Sequence, residues 1–365
     1  MKSLKEIRKD LHKIPEASFQ EYKTTQYIEE YVSKLPLVKI HKFPFTGLLV
    51  EYSQGKDDYQ LFRADMDALP ITEQTGVDFS SQNEGYMHAC GHDIHMTVLI
   101  GLIQHVVKEK PNINTLFLFQ PAEEGYGGAE RVLSSGILDK FPIKEAFALH
   151  VHPDFPVGTI ACKPGILFGI PQEFDVKFKG RSSHAVNPHR GKDAIASAAL
   201  FCNNIYSTLA KSFAPAEKFI CHLGKISGGN ARNITAEQCT IEGTLRSFDK
   251  SVMNRLKEKV ISIADASAKP FNTEAIVDFL ITYDPVVNDI DLYNKMKHYL
   301  PDYITLKDID ATLTGEDFGF FTSKYKGLMF WLGVDDKDND LHTPHFLPNE
   351  DAIDIGFNVF LSMLD

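Results

Sequence analysis

Residues 87–96 read MHACGHDIHM, placing three histidines and one cysteine within eight positions. Cys90 and His92 lie two apart in a glycine-containing stretch ahead of a helix, so a thiolate and an imidazole can be aimed at one ion. A lone C-x-H pair fits a buried thiol among solvated histidines equally well, and an ion would need further ligands from elsewhere. The candidates are Glu123 and Glu124 in QPAEEG, His150 or His152 in LHVHP, and His342 or His345 in DLHTPH. Adjacent carboxylates are ordinarily a solvated acidic pair, but these follow the apolar run LFLF and Pro121, where a buried strand opens into a loop. Two such neighbours can divide labour, one binding a metal and the other taking a proton from water. Asp65 and Asp67, two apart on a strand, share one face; either could orient a ligand, fix the base or cap the strand end. Together these groups describe metal-assisted hydrolysis. In such chemistry a divalent ion lowers the pKa of its water toward about 7 and polarises a carbonyl, and a positioned carboxylate contributes about 10²- to 10⁴-fold as general base.

Groups so far apart in sequence need a scaffold. Apolar runs at 47–52, 59–66, 115–121 and 145–152 read as strands, and residues 96–109 have helical spacing. The alternation predicts a largely parallel, helix-covered sheet. Ligands of open α/β sheets bind beyond the carboxyl ends of the strands, where RADMDALP, QPAEEG, LHVHP and DLHTPH fall. From about residue 173 the order becomes βαββαβ, a ferredoxin-like unit. The run 328–334 and a closing helix from about 350 then resume the first style. The expected fold class is α/β: a mixed sheet covered by helices, formed by residues 1–172 and 284–365, with an inserted ferredoxin-like domain at 173–283.

With 38 basic against 49 acidic residues and a net charge of −11, the chain lacks the broad positive field that nucleic acid or an anionic membrane surface requires. No stretch approaches the roughly 20 apolar residues of a membrane helix, and the charged opening MKSLKEIRKDLHKIP lacks the apolar run of a secretory signal. Five scattered cysteines do not form a disulfide framework. A cytoplasmic location is expected.

In RKDLHKIPEASFQE, RADMDALPI, MHACGHDIHM, FQPAEEG, LHVHPDFPVGTI, GRSSHAVNPH, GGNARNITAE, EGTLRSF, TGEDFGFF and LHTPHFLPNE, the sequence resembles the amidohydrolase branch of the co-catalytic metallopeptidases, which includes hippurate hydrolases, auxin-conjugate hydrolases and N-acetyldiaminopimelate deacetylases. The resemblance implies a zinc-peptidase-like catalytic domain with an inserted lid that mediates homodimerisation. It implies Cys90, His92, Glu124, His150 and His342 as ligands of two divalent ions, zinc, manganese, cobalt or nickel, with Glu123 as the base. His152 and His345 become neighbours rather than ligands, and His88 and His95 lie beside the ligands or at the helix start. The aspartate of the pattern can be laid on Asp65 or Asp67. His184 matches a lid histidine that in this family reaches the site of a partner subunit and stabilises the oxyanion. Asn233 and Arg246 resemble substrate-side residues, a guanidinium fork being suited to a carboxylate. The substrate class is a small N-acylated amino acid. Chain length, the segments LHKIPEASFQE, TGEDFGFF and MFWLGVD, and NITAE favour N-acetyl-L,L-2,6-diaminopimelate, with a broader N-acyl-amino-acid amidohydrolase as the alternative. A metal-binding sensor without chemistry would have no use for Glu123 beside Glu124.

Overall fold

The computed structural model describes residues 2–364. The chain divides into two compact units, one of residues 1–167, 286–311 and 316–365 and the other of residues 168–285 and 312–315.

The first unit is built on an eight-stranded sheet. Its spatial order is Val38–Lys42, Leu48–Tyr52, Thr115–Gln120, Tyr59–Asp65, Ile143–His152, Lys326–Gly333, Thr159–Cys162 and Thr305–Asp308. The four central strands are parallel, with Asp65 in register with Gln120 and His152 with Gly333. Their carboxyl ends therefore open side by side, and the loops that leave them carry most of the candidate residues. The sheet is less uniformly parallel than the alternation predicts. Val38–Lys42, Leu48–Tyr52 and Thr115–Gln120 pair antiparallel in succession, and Thr159–Cys162 pairs antiparallel with Lys326–Gly333. The five residues between Lys42 and Leu48 are too few for the crossover a parallel neighbour needs. Val38–Lys42 has no fully buried residue, so its sequence carries no apolar run to mark it as a strand.

The helix that the spacing starts at 96 begins at His92 and runs to Glu109, with His92, Asp93 and His95 buried. Gly91 opens it at φ +74°, and a Cβ there would come within 2.6 Å of Val151 Cγ2. A glycine is required between Cys90 and His92 both to turn the backbone left-handed and to let it approach the neighbouring strand. Phe62, Phe117, Phe119 and Phe147 are buried in the core of this unit, each contributing about 1.5–3 kcal/mol by removal from water.

The second unit has the order Ile170–Lys179, helix Ala194–Ser212, Phe219–Gly228, Gln238–Ser247, helix Lys250–Ala268 and Glu274–Thr282, the βαββαβ pattern expected. Its four-stranded antiparallel sheet runs Glu274–Thr282, Ile170–Lys179, Gln238–Ser247, Phe219–Gly228. Asp193 and Asp249 cap the two helices by accepting backbone N–H groups of their first turns. The boundaries of this unit lie a few residues outside the 173–283 read from sequence. Residues 312–315 join it because Thr312 bridges Phe168 and Gly315 packs on Pro171. Among the described residues no helix is long and apolar enough to cross a membrane.

Candidate metal centre

Side chains from four separate segments of the first unit converge beyond the carboxyl ends of the parallel strands. His150 lies within Ile143–His152, Cys90 and His92 flank Gly91, Glu123 and Glu124 follow Gln120 by a short turn, and His342 comes from the loop after the Lys326–Gly333 strand. Two of the turns are backbone-strained. Ala122 and His342 have φ of +58° and +63°, values rare for residues with a Cβ and concentrated at functional sites. His342 is held there by donating its N–H to Ala89 O at 2.9 Å, which draws it to the Cys90 loop.

The thiol is the point of convergence. Cys90 Sγ lies 3.3 Å from His150 Nε2 and 3.3 Å from His342 Nε2. His342 Nε2 is 3.4 Å from Glu124 Oε1, and His92 Nε2 is 3.9 Å from the same oxygen. Donor atoms of Cys90, His92 and His150 lie within 4.8 Å of one another, and so do those of Cys90, Glu124 and His342. Each set offers a soft sulfur with imidazole or carboxylate, suited to a transition-metal ion, and the sulfur is common to both. His150 and His342 reach the thiol; His152 stacks on Phe155 with ring centroids 4.4 Å apart, and His345 contacts Gln74 O through Nδ1.

A second layer fixes these groups. His92 Nδ1 donates to Asp67 O at 2.9 Å, which turns Nε2 toward the centre, an orientation that outer partners commonly impose on metal-binding imidazoles. Asp67 Oδ2 accepts from the Glu124 N–H at 3.0 Å and the Ser18 hydroxyl at 2.7 Å. Asp65 instead holds His95 Nδ1 at 2.5 Å and the Arg63 guanidinium at 2.7 Å, while His95 Nε2 accepts the Val151 N–H. The two aspartates that sequence leaves interchangeable thus touch different partners.

Sequence reasoning missed the cation of this layer. Arg63, fully buried, also pairs with Glu316 and Asp317, at 3.1 and 2.7 Å. Gln120 Nε2 and the Ala129 N–H donate to Asp317. Glu123 shares a cluster with Glu316 and Asp317. Burial first, then Glu316, Glu124 and Asp317, pushes the Glu123 carboxyl well above its usual range, against the pull of Arg63. Burial raises Glu316 to about 7 and Asp317 to about 6, again against Arg63. Arg63→Met should destabilise the fold by about 3–5 kcal/mol, because it strands three buried carboxylates without their counter-charge. Urea unfolding checks this, and a loss below about 1 kcal/mol would show the cluster to be neutralised by protonation instead.

The donor set fits divalent ions on three observations. His92 Nε2 and Glu124 Oε1 are buried polar atoms with no hydrogen-bond partner, an uncommon state for native polar groups. Burial first, then Glu124, Glu123 and Asp65, also pushes the Cys90 thiol well above its usual range, so a thiolate here needs a cation at the sulfur. Burial opposes charge on His92 too, yet Asp65, Asp67 and Glu124 raise it to about 10: the surroundings ask for positive charge.

The remaining candidates belong to the second unit. His184 is exposed and its backbone bridges Ile234, next to Asn233, whose carbonyl accepts the Ala185 N–H at 3.0 Å. Arg246 projects from Gln238–Ser247 and pairs with Glu173 at 2.8 Å.

Residues 61–365 match the model of peptidase family M20/M25/M40. The chain is 38% identical, over 98% of its length and 96% of the relative's, to an N-acetyldiaminopimelate deacetylase of Geobacillus sp. strain WCH70. It is 36% identical to the N-acetyldiaminopimelate deacetylase of Shouchella clausii strain KSM-K16, covering 100% of this chain and 98% of that one. Among solved structures, the Bacillus subtilis YxeP protein, described as a dinuclear metal-binding peptidase from the M20 family, superposes with a TM-score of 0.84. It is 29% identical, with 99% of this chain and 96% of that one covered.

Proposed function

The chain belongs to peptidase family M20/M25/M40, and from that premise we propose that it hydrolyses N-acetyl-L,L-2,6-diaminopimelate to acetate and L,L-diaminopimelate. The observation that carries the reading is the pair of donor sets meeting at Cys90 Sγ, with Glu123 next in sequence to the donor Glu124. Cys90, His92 and His150 would hold one divalent ion, and Cys90, Glu124 and His342 a second. Zinc, manganese, cobalt and nickel all suit thiolate, imidazole and carboxylate donors. Bound there, such ions polarise an acetyl carbonyl and acidify water.

Glu123 takes the proton from the attacking water and returns it to the departing amine nitrogen. Burial pushes this carboxyl upward, the direction that favours a group which must hold the proton before returning it. Asp67 orients His92 and the Glu124 peptide, while Asp65 keeps Arg63 and His95 in place. By the resemblance, His184 of the second unit would reach the site of a partner subunit and donate to the oxyanion, with Asn233 and Arg246 on the substrate side, the guanidinium being suited to a carboxylate. The edge strand Phe219–Gly228, with Ile220 and Ile226 exposed, serves a homodimer through strand addition. Five free cysteines suit a reducing cytoplasm.

The test is a substrate panel on purified, ion-loaded protein. Turnover of N-acetyl-L,L-2,6-diaminopimelate should exceed that of hippurate and N-acetylmethionine by at least about 100-fold in kcat/KM, since a site built for a polar group rejects analogues lacking it. Faster hydrolysis of either comparison compound would move the assignment to a broader N-acyl-amino-acid amidohydrolase.

A further inference from the structure

The opening stretch RKDLHKIPEASFQE contributes no donor to the sets described above, yet Glu21 at its end is completely buried. Glu21 occupies the N-cap position of the helix Tyr22–Val32, but its side chain makes no capping bond. Its carboxylate points elsewhere. Oε1 accepts the Ala122 N–H at 2.9 Å and the Phe19 N–H at 3.0 Å, and Oε2 accepts the Thr46 hydroxyl.

Ala122 is the residue before Glu123. It is left-handed at φ +58°, ψ +46°, an unfavourable conformation for a residue with a Cβ. Its carbonyl accepts the Gly128 N–H at 2.9 Å, and the loop doubles back so tightly that a Cβ on Gly128 would overlap Pro121 O. On the far side of Glu123, the Glu124 N–H donates to Asp67 Oδ2, which also receives the Ser18 hydroxyl. The two peptide N–H groups flanking Glu123 are therefore each bound by a buried carboxylate, Glu21 on one side and Asp67 on the other. Both anchors are steadied by the segment 18–21, through Ser18 and Glu21.

We propose that Glu21 is a positioning residue for the reaction: its carboxylate holds Ala122 in the left-handed turn and thereby sets where the Glu123 side chain stands. The inference rests on the proposed amide hydrolysis with Glu123 as base. The carboxylate also ties the Phe19 N–H and the Thr46 hydroxyl, but it makes no cap bond and its one long-range backbone partner is the N–H beside the base.

The test compares wild type, Glu21→Ala and Glu21→Gln, with Glu123→Gln as the inactive reference. Glu21→Ala should lower kcat on the order of 10- to 100-fold with KM within about twofold, because a small displacement of a catalytic group costs that much. Its metal content should equal that of wild type. Hydrogen–deuterium exchange of a peptide spanning 118–126 should quicken. Glu21→Gln retains an acceptor for the Ala122 N–H and should recover kcat to within about threefold of wild type. Unchanged kcat in Glu21→Ala, loss of ions in step with kcat, or a Gln variant as slow as the Ala variant would each overturn the proposal. Should Glu21→Ala fail to fold, Thr46→Val carries the test by releasing one carboxylate oxygen; about threefold slower turnover is expected, and none would overturn it. An inactive wild type would count against the reaction instead, and the exchange at 118–126 would still judge the pin.

Discussion

Glu123→Gln is expected to lower kcat by about 10²- to 10⁴-fold, the usual contribution of a positioned general base, while the protein keeps its full complement of ions. The substitution preserves shape in a site where Glu123 is only 7% exposed, so packing changes little. On the proposed mechanism it removes the oxygen that accepts the proton. Glu124, His342 and the thiol keep their donor atoms, which is why metal content should be unaffected. The electrostatic sign adds a second readout. Glu123 sits with Glu316 and Asp317, and those carboxylates help to push its own pKa upward. A neutral amide cannot add to that repulsion, so the variant should melt no lower than wild type. Turnover within threefold of wild type, in a folded and metal-replete variant, would remove Glu123 from the chemistry. A parallel loss of ions would instead make it a ligand.

The contrast between Glu123 and its supports explains what the sequence makes legible. Cys90, His92 and the Glu123–Glu124 pair stand out because rare donor types fall where strands open into loops, and that placement survives without knowledge of the fold. Asp65 and Asp67 cannot be told apart by spacing, because an unbroken strand would put both on one face; the strand in fact ends at Asp65, and their partners distinguish them, Arg63 and His95 for one and Ser18 and the Glu124 N–H for the other. Arg63 reads as an ordinary strand arginine, and Asp317, 254 positions away, as a loop carboxylate. Their pairing is a property of the sheet, since Arg63 and Gln120 meet Asp317 only once their strands lie side by side. Glu21 is hidden for the same reason, because its partner is a backbone N–H 101 positions away and backbone groups leave no mark in a sequence. Edge strands such as Val38–Lys42 escape because half-exposed residues carry no apolar run.

Cys90→Ala is expected to strip both ions and reduce turnover on the order of 10³-fold or more, since Lewis-acid assistance supplies several kcal/mol, whereas His342→Ala should keep one ion and lose the other. The difference follows from the sharing of one sulfur atom. Without Cys90, one donor set falls to His92 with His150 and the other to Glu124 with His342, and two protein ligands are fewer than the three that open catalytic sites use. Without His342, Cys90, His92 and His150 remain complete, and the His92 ring stays fixed by its bond to Asp67 O. Elemental analysis after gel filtration should therefore give about two ions for wild type, about one for His342→Ala and close to none for Cys90→Ala. Turnover should fall in both variants, because a complete centre requires both donor sets. Equal ion contents in the two variants would mean that the sulfur serves one ion only, and its 3.3 Å approaches to both His150 and His342 would then reflect close packing around a single site.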